Sequence, residues 1–287
     1  MILLAMLEIY GLNTKVKVGS SWETVQKIHV NNGGTWTRVK KAYSKVGGSW
    51  EPTYEYEWVY TLSATTHTDF DIDAISGIDK FYNVRVIIPS NAVLLASSTS
   101  AYALKTGSGY GGTLTIENHG YVLGRGGNGG TGGSVGSYSG GAGGNGGSAI
   151  KVEHDFNIIG FAGSAILGGG GGGGGGSAVY YDAPWYEDDD RAGGGGGGGG
   201  APYGSGGSGG NYNGNAGSSA SLYFGGSGGA RRQADASYSG AGGGGAGNGD
   251  NGGTGGTASG YITASGSGGA GGSVGAKYYN PSNFTIS

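Results

Sequence analysis

From residue 113 to 117 polar and apolar side chains alternate (Thr113, Leu114, Thr115, Ile116, Glu117), the period of a strand with one face buried. Residues 81–88 form a second strand-like run, which Pro89 ends. A short apolar run follows at 92–96, then a turn at Asn118, His119 and Gly120, then Tyr121, Val122 and Leu123. Together these predict a β-module over residues 61–123. A later apolar island, 149–167, repeats the strand-then-glycine pattern at 156–160 and is expected to extend that module underneath. The opening residues, 1–7, are apolar but short. They lack a basic flank and a small-residue cleavage site, so they read as a first strand rather than a signal peptide. No apolar run approaches the ~20 residues that span a bilayer.

Residues 1–60 follow a different rule, a repeat of period 14. Trp22, Trp36 and Trp50 mark it; Val25 matches Val39, Lys27 matches Lys41, and Gly33-Gly34 matches Gly47-Gly48. Each unit predicts a strand, a Gly-Gly turn and a Trp opening the next strand. So few short units cannot bury three indoles alone. The zone is therefore expected to pack on the next zone, on sister chains or on another protein, as an attachment or oligomerisation module.

From residue 124 to 287 the hydrophobic pattern gives way to glycine, which supplies 74 of the 287 residues against only 5 prolines. Ordinary usage is about 7% Gly. Gly-Gly-X arrays occur at 126–133, 140–147, 252–256 and 268–272, and uninterrupted runs at 168–176 and 193–200. A single glycine segment is a flexible coil, because ordering it costs about 1–2 kcal/mol per residue. Several segments side by side change that balance. In a three-residue-per-turn extended helix every N–H and C=O points sideways, and neighbours without side chains come close enough to pair them. Each pair contributes ~0.5–1.5 kcal/mol, and Cα–H···O contacts add ~0.5–1 kcal/mol each. With the β-module as template, the expected fold is a mostly β N-terminal part followed by a polyglycine type II sandwich with long distal loops and almost no α-helix. A threefold period puts the X residues (Asn128, Thr131, Ser134; Ala142, Asn145, Ser148) on one edge, facing solvent, and the pure runs in interior rows. Collagen is excluded, since it needs one Gly per triplet and abundant Pro.

If the segments run out and back, residues 134–139, 177–192 and 257–267 lie at the far end. Between 201 and 240 the alternation is ambiguous in the sequence; 211–224 and 230–239 are both assigned to the far end. These loops hold Tyr138, Tyr180, Tyr181, Trp185, Tyr186, Tyr212, Tyr223, Phe224, Tyr238 and Tyr261 among Ser, Gly and Asn. Tyr and Trp give large contact area at low rotamer cost, the composition of a recognition surface. Some tyrosines, Tyr203 and Tyr278 first, serve as well to cap open glycine ends. The run 187–191, with Asp189 and Arg191, fits a basic patch on a receptor, a weak Ca²⁺ site or a solvated turn. Arg231 and Arg232 fit a carboxylate or phosphate on a surface glycan, or solvent.

Net charge is −3 with no basic block, which argues against a nucleic-acid partner. The chain has no Cys, so neither disulfides nor thiolate metal sites are available. Residues 124–129 match GxGxxG, a chance event in so glycine-rich a chain without βαβ context. His29, His67, His119 and His154 are dispersed, and Asp71 and Asp73 lack a cleft that would make them a glycosidase pair. No catalytic residue, metal or cofactor is expected.

The glycine-rich motifs at 126–133 and 168–176, with complex loops between them, resemble the distal tail-fibre adhesins of T-even-like phages over 124–287. The resemblance implies a virion protein at a tail or tail-fibre tip, binding a bacterial outer-membrane protein or surface glycan. By position, Tyr138 and Tyr261 and the segments 180–191, 211–224 and 231–238 fall where that binding would occur. The N-terminal part departs from that family: the Trp-repeat zone and the β-module, residues 1–123, are instead similar to pieces of other phage tail and fibre proteins, and the N-terminal zone is expected to meet another tail or fibre protein. A homotrimer and a monomeric cap both fit. A structural tail-tip subunit is the alternative function. An ice-binding polyglycine protein is a further one, though the mixed X residues lack a regular Thr/Ala face.

Overall fold

The alternating runs become three parallel sheets that the chain visits in rotation. The computed structural model describes residues 7–10, 13–18, 20–24, 28–182, 190–234, 237–260, 262, 264–280, 282 and 284–287. The first sheet stacks Glu57–Thr61, Asn83–Ile88, Leu114–Asn118 and Phe156–Gly160. The second stacks Thr66–Thr68, Val93–Leu95, Tyr121–Leu123 and Ala165–Leu167. The third stacks Phe70–Asp71, Leu104–Lys105, Ile150–Lys151 and Tyr278–Tyr279. All pairings are parallel, so the module is a three-sided solenoid. The C-terminus starts one more turn by laying Ile286 against Phe156.

In-register stacking lines up like residues inside the solenoid. Val84, Leu114 and Phe156 form one row, and Val86, Ile116 and Ile158 the next. All of these but the half-buried Ile158, which packs against them, join Leu94, Val122, Leu104 and Ile150 in one buried cluster, each such buried side chain contributing about 1.5–3 kcal/mol. Outside, Arg85 bridges Glu57 (Nε to Oε2, 3.0 Å) and Glu117 (Nη1 to Oε2, 3.0 Å). Asp71 and Asp73 are structural here: Asp71 caps the short 3-10 turn Ile72–Ala74, and Asp73 pairs with Lys80 at 2.6 Å. Among the described residues there is no α-helix, and the fold is essentially all β.

The N-terminal repeat forms antiparallel units. Ile28–Asn32 pairs with Thr35–Val39 through Gly33-Gly34, and Lys41–Val46 with Ser49–Glu55 through Gly47-Gly48. These glycines have φ of +61°, +91°, +58° and +95°, the left-handed pairs of a two-residue hairpin turn. Each Trp opens the returning strand, opposite Lys17, Asn31 or Lys45. The hairpins touch the solenoid through Arg38, which meets Asp79 at 2.8 Å and lies over Phe81, and through Lys40, which donates to the Gly111 carbonyl. Trp36 and Trp50 do not join that junction and remain 67% and 68% exposed.

The glycine-rich segments leave and re-enter the solenoid at the edge between the second and third sheets. Ten rods are present among the described residues, alternating outward and back: 124–133, 140–148, 168–177, 193–201, 204–210, 214–220, 225–230, 239–246, 251–257 and 266–275, numbered here 1 to 10. Rods 1 and 3 continue strands of the second sheet. Rods 2 and 10 run into strands of the third, the Gly146 bond to Ser273 being followed by Ala149 to Ala276 and Ile150 to Lys277.

Bonding partners repeat every three residues. Within rod 3, Gly169, Gly172 and Gly175 donate to rod 2 (Gly147, Gly144, Gly141). Gly170, Gly173 and Gly176 donate to rod 4 (Ala201, Gly198, Gly195). Gly174 and Ser177 donate to rod 9 (Gly253, Gly256), and Gly171 to Asp250 just before it. The same rod accepts from rods 1, 8 and 10. Rod 4 likewise donates to rods 1, 6 and 8 and accepts from rods 3, 5 and 7. Each uninterrupted glycine run is therefore surrounded by six neighbours, and residues 168–176 and 193–200 are buried throughout. That register is what three residues per turn require. A Cβ on Gly172 would collide with the Asn128 carbonyl, and one on Gly197 with the Gly173 carbonyl. The X residues Asn128, Thr131, Ala142 and Asn145 are exposed, and Ser134 and Ser148 half-buried.

Candidate functional site

Alternation sorts the connections between rods into two ends. Among the described residues, the far end, away from the solenoid, carries 134–139, 178–182, 190–192, 211–213, 231–234, 237–238, 258–260, 262 and 264–265. The near end carries 202–203, 221–224 and 247–250. At the far end two small antiparallel sheets form. One pairs Val179–Tyr181 with Asp190–Ala192 and with Ala264–Ser265; the other joins Gln233–Ala234, Ser237–Tyr238 and Ser259–Gly260. Segments distant in sequence thus share one face.

Cations and aromatic rings interleave there. The Arg191 guanidinium lies 5.4 Å from the Tyr180 ring centre and 5.3 Å from that of Tyr212, and its Nη1 donates to the Tyr212 hydroxyl at 2.8 Å. Arg231 lies over Tyr238 at 4.6 Å. Arg232 Nε donates to the Asn213 carbonyl at 2.8 Å. Cation–π pairs of this kind contribute ~0.5–1 kcal/mol when exposed and hold flat aromatic surface in a fixed pose. Arg191 and Tyr212 are exposed, while Tyr180, Tyr181 and Tyr238 are half-buried. Tyr138 is half-buried too, its carbonyl accepting from the Ala178 N–H at 2.7 Å. Trp185, Tyr186, Asp189 and Tyr261 lie outside the described residues, as does the rest of 183–189.

Two expected members are elsewhere. The expectation that 211–224 lies whole at the far end is corrected: rod 6 carries the chain back, and Tyr223 and Phe224 sit at the near end. Tyr223 packs on Tyr121 of the second sheet, ring centres 5.7 Å apart, and Asn248 Nδ2 donates to the Leu222 carbonyl. Phe224 is 75% exposed. Tyr203 is also at the near end, under Arg125, and Tyr278 packs edge-on against Phe156 in the solenoid. Asn211 and Asn213 join the face through backbone and amide contacts that leave no signal in composition.

The family model for phage tail fibre adhesin Gp38 matches residues 57–286. The chain belongs to that family. The adhesin is therefore a virion protein of the tail fibre, with a receptor-binding role. Its matched part contains the whole solenoid and all ten rods, so the expectation that the β-module departs from the family is corrected; the Trp hairpins precede the match. Among solved structures, the adhesin is similar to a chain of the gp37-gp38 adhesin tip complex of the bacteriophage S16 long tail fiber, at 24% identity over 81% of each chain with a TM-score of 0.47. No curated protein matches it. Among the described residues no three His, Asp or Glu side chains are grouped as for a metal ion.

Proposed function

We propose that the adhesin grips a bacterial outer-membrane protein or surface glycan with its far-end face, and that the rods form a polyglycine II block serving as a stiff spacer. The observation that carries this reading is the convergence of Tyr180, Arg191, Tyr212, Arg231, Arg232 and Tyr238 from three separate inter-rod connections at the end opposite the solenoid. Rigid aromatic area and forked donors are what a protein or glycan surface is recognised by. Binding, not turnover, is the activity expected of such a face.

The test is retention of envelope components from candidate hosts by the isolated full chain. One outer-membrane protein or glycan fraction is expected to be held, and to be lost with Arg231→Glu. Failure to retain any component from a host that the phage infects would overturn the reading and favour a structural subunit of the tail tip.

A second surface is favoured by its own observation. Trp36 and Trp50 are two-thirds exposed, and Val30, Tyr43 and Val46 of the same hairpins are exposed as well, apolar area that soluble chains usually cover. This zone is the expected seat on another fibre protein. The double variant Trp36→Ser/Trp50→Ser is expected to bind host cells normally and to be missing from purified virions. Normal incorporation into virions would remove the hairpins from attachment.

A further inference from the structure

We propose that the three-residue turn 211–213, between rods 5 and 6, is the keystone of the far-end face, and that Asn211 and Tyr212 are positioning residues for receptor binding. The proposal rests on the reading of that face as the receptor-binding one. Each residue of the turn holds a different piece of the face. The Asn211 N–H donates to Ser134 Oγ (3.1 Å), and its side-chain amide bonds both ways with Val135, accepting at 2.7 Å and donating at 3.4 Å. Tyr212 accepts from Arg191 through its hydroxyl, and the same guanidinium spans its ring and that of Tyr180. The Asn213 carbonyl accepts from Arg232, whose own N–H and carbonyl are paired with Ser239 Oγ (2.8 Å) and the Ser239 N–H (2.8 Å). The turn therefore joins the connection of rods 1 and 2, that of rods 3 and 4, and that of rods 7 and 8.

The backbone agrees with this role. Tyr212 and Asn213 have φ of +57° and +61°, a left-handed conformation uncommon for a bulky side chain. Such a conformation persists where surrounding contacts over-determine it. Here the turn is pinned from below as well, since the Tyr212 carbonyl accepts from Gly193 and the Gly210 N–H donates to Gly194. A short, fixed turn with one contact to each longer loop transmits the geometry of the rods to the face.

The experiment is amide exchange on the full chain, with host-cell binding measured on the same preparations. Tyr212→Ala is expected to speed exchange at 179–182 and 190–192 by about tenfold or more, leaving 168–176 protected, and to lower cell binding by a comparable factor. Asn211→Ala is expected to speed exchange at 134–137 alone. Tyr212→Phe keeps the ring under Arg191 and is expected to restore most of both readouts. Unchanged exchange in these loops for both alanine variants overturns the keystone, whatever binding does. Faster exchange throughout the rods overturns it too, by making the turn a determinant of folding. Loosened loops with undiminished cell binding keep the keystone and remove the far end as the receptor-binding face.

Discussion

At the residue scale, the difference between one glycine and another is the distance to the next rod. A Cβ on Gly173 would run into the Gly243 carbonyl, whereas one on Gly244 meets nothing nearer than the Gly226 carbonyl at 3.9 Å. Overpacking costs about 1–3 kcal/mol, occasionally more, and an interior rod cannot shift without breaking bonds to six neighbours. Gly173→Ala is therefore expected to destabilise the chain by about 3 kcal/mol or more. Gly244→Ala, whose φ is not left-handed, is expected to be neutral or to stabilise by about 0.4–1 kcal/mol through the unfolded chain. Denaturant midpoints of the two variants check this, and equal losses would contradict it. The X positions show the same economy. Asn128 Oδ1 accepts from the Ser205 N–H at 3.0 Å, and Asn145 Oδ1 from the Ser273 N–H at 2.9 Å. At the perimeter an outward N–H has no rod to meet, and the amide supplies the acceptor. Which residues face outward was legible from the three-residue period; the capping by asparagine was not, because it depends on the neighbour's register.

At the element scale, strands were legible and their order was not. Alternation at 113–117 says that one face is buried but carries no sign of parallel or antiparallel pairing. The corners that decide it, such as 118–120, look like ordinary turns. Hairpins were easier, since Gly33-Gly34 and Gly47-Gly48 between alternating runs leave only a tight reversal. The outer face of the first sheet gives a pH prediction. A hydrogen bond with His119, then one from Arg85, holds the Glu117 carboxyl below its ordinary range. A bond from Lys41 foremost does the same for Glu55. A carboxyl depressed in the folded state binds protons more readily when unfolded. Its contribution is present above the unfolded pKa of about 4.3 and is lost as pH falls through the lower folded value. Thermal midpoints taken from about pH 6 down to about pH 2 are expected to fall across that window. Glu117→Gln should make the fall shallower; an unchanged slope would show that this ladder is not responsible.

At the scale of the whole molecule, the solenoid and the rods are one construction. Strands of the second sheet run straight into rods 1 and 3, and rods 2 and 10 run back into the third, so four rods are anchored directly on the solenoid. This solves the entropy problem that an isolated glycine run cannot. The proposed site reads in the sequence as a set of aromatic loops, but the end of the rods that each loop occupies does not. Residues 211–224 read as one loop because rod 6, which divides them, has glycine only at Gly214 and Gly217 over 214–220, and because a Tyr-bearing turn at either end has the same composition. Tyr212 and Tyr223, eleven positions apart, consequently face opposite ends.

That separation supplies the most direct test. Two triple variants are compared for binding of the isolated chain to host cells, with amide protection at 168–176 verified in both. The account predicts that Tyr180→Ala/Tyr212→Ala/Tyr238→Ala loses binding, while Tyr203→Ala/Tyr223→Ala/Phe224→Ala keeps it. Retained binding in the far-end variant, with loss in the near-end one, would contradict it.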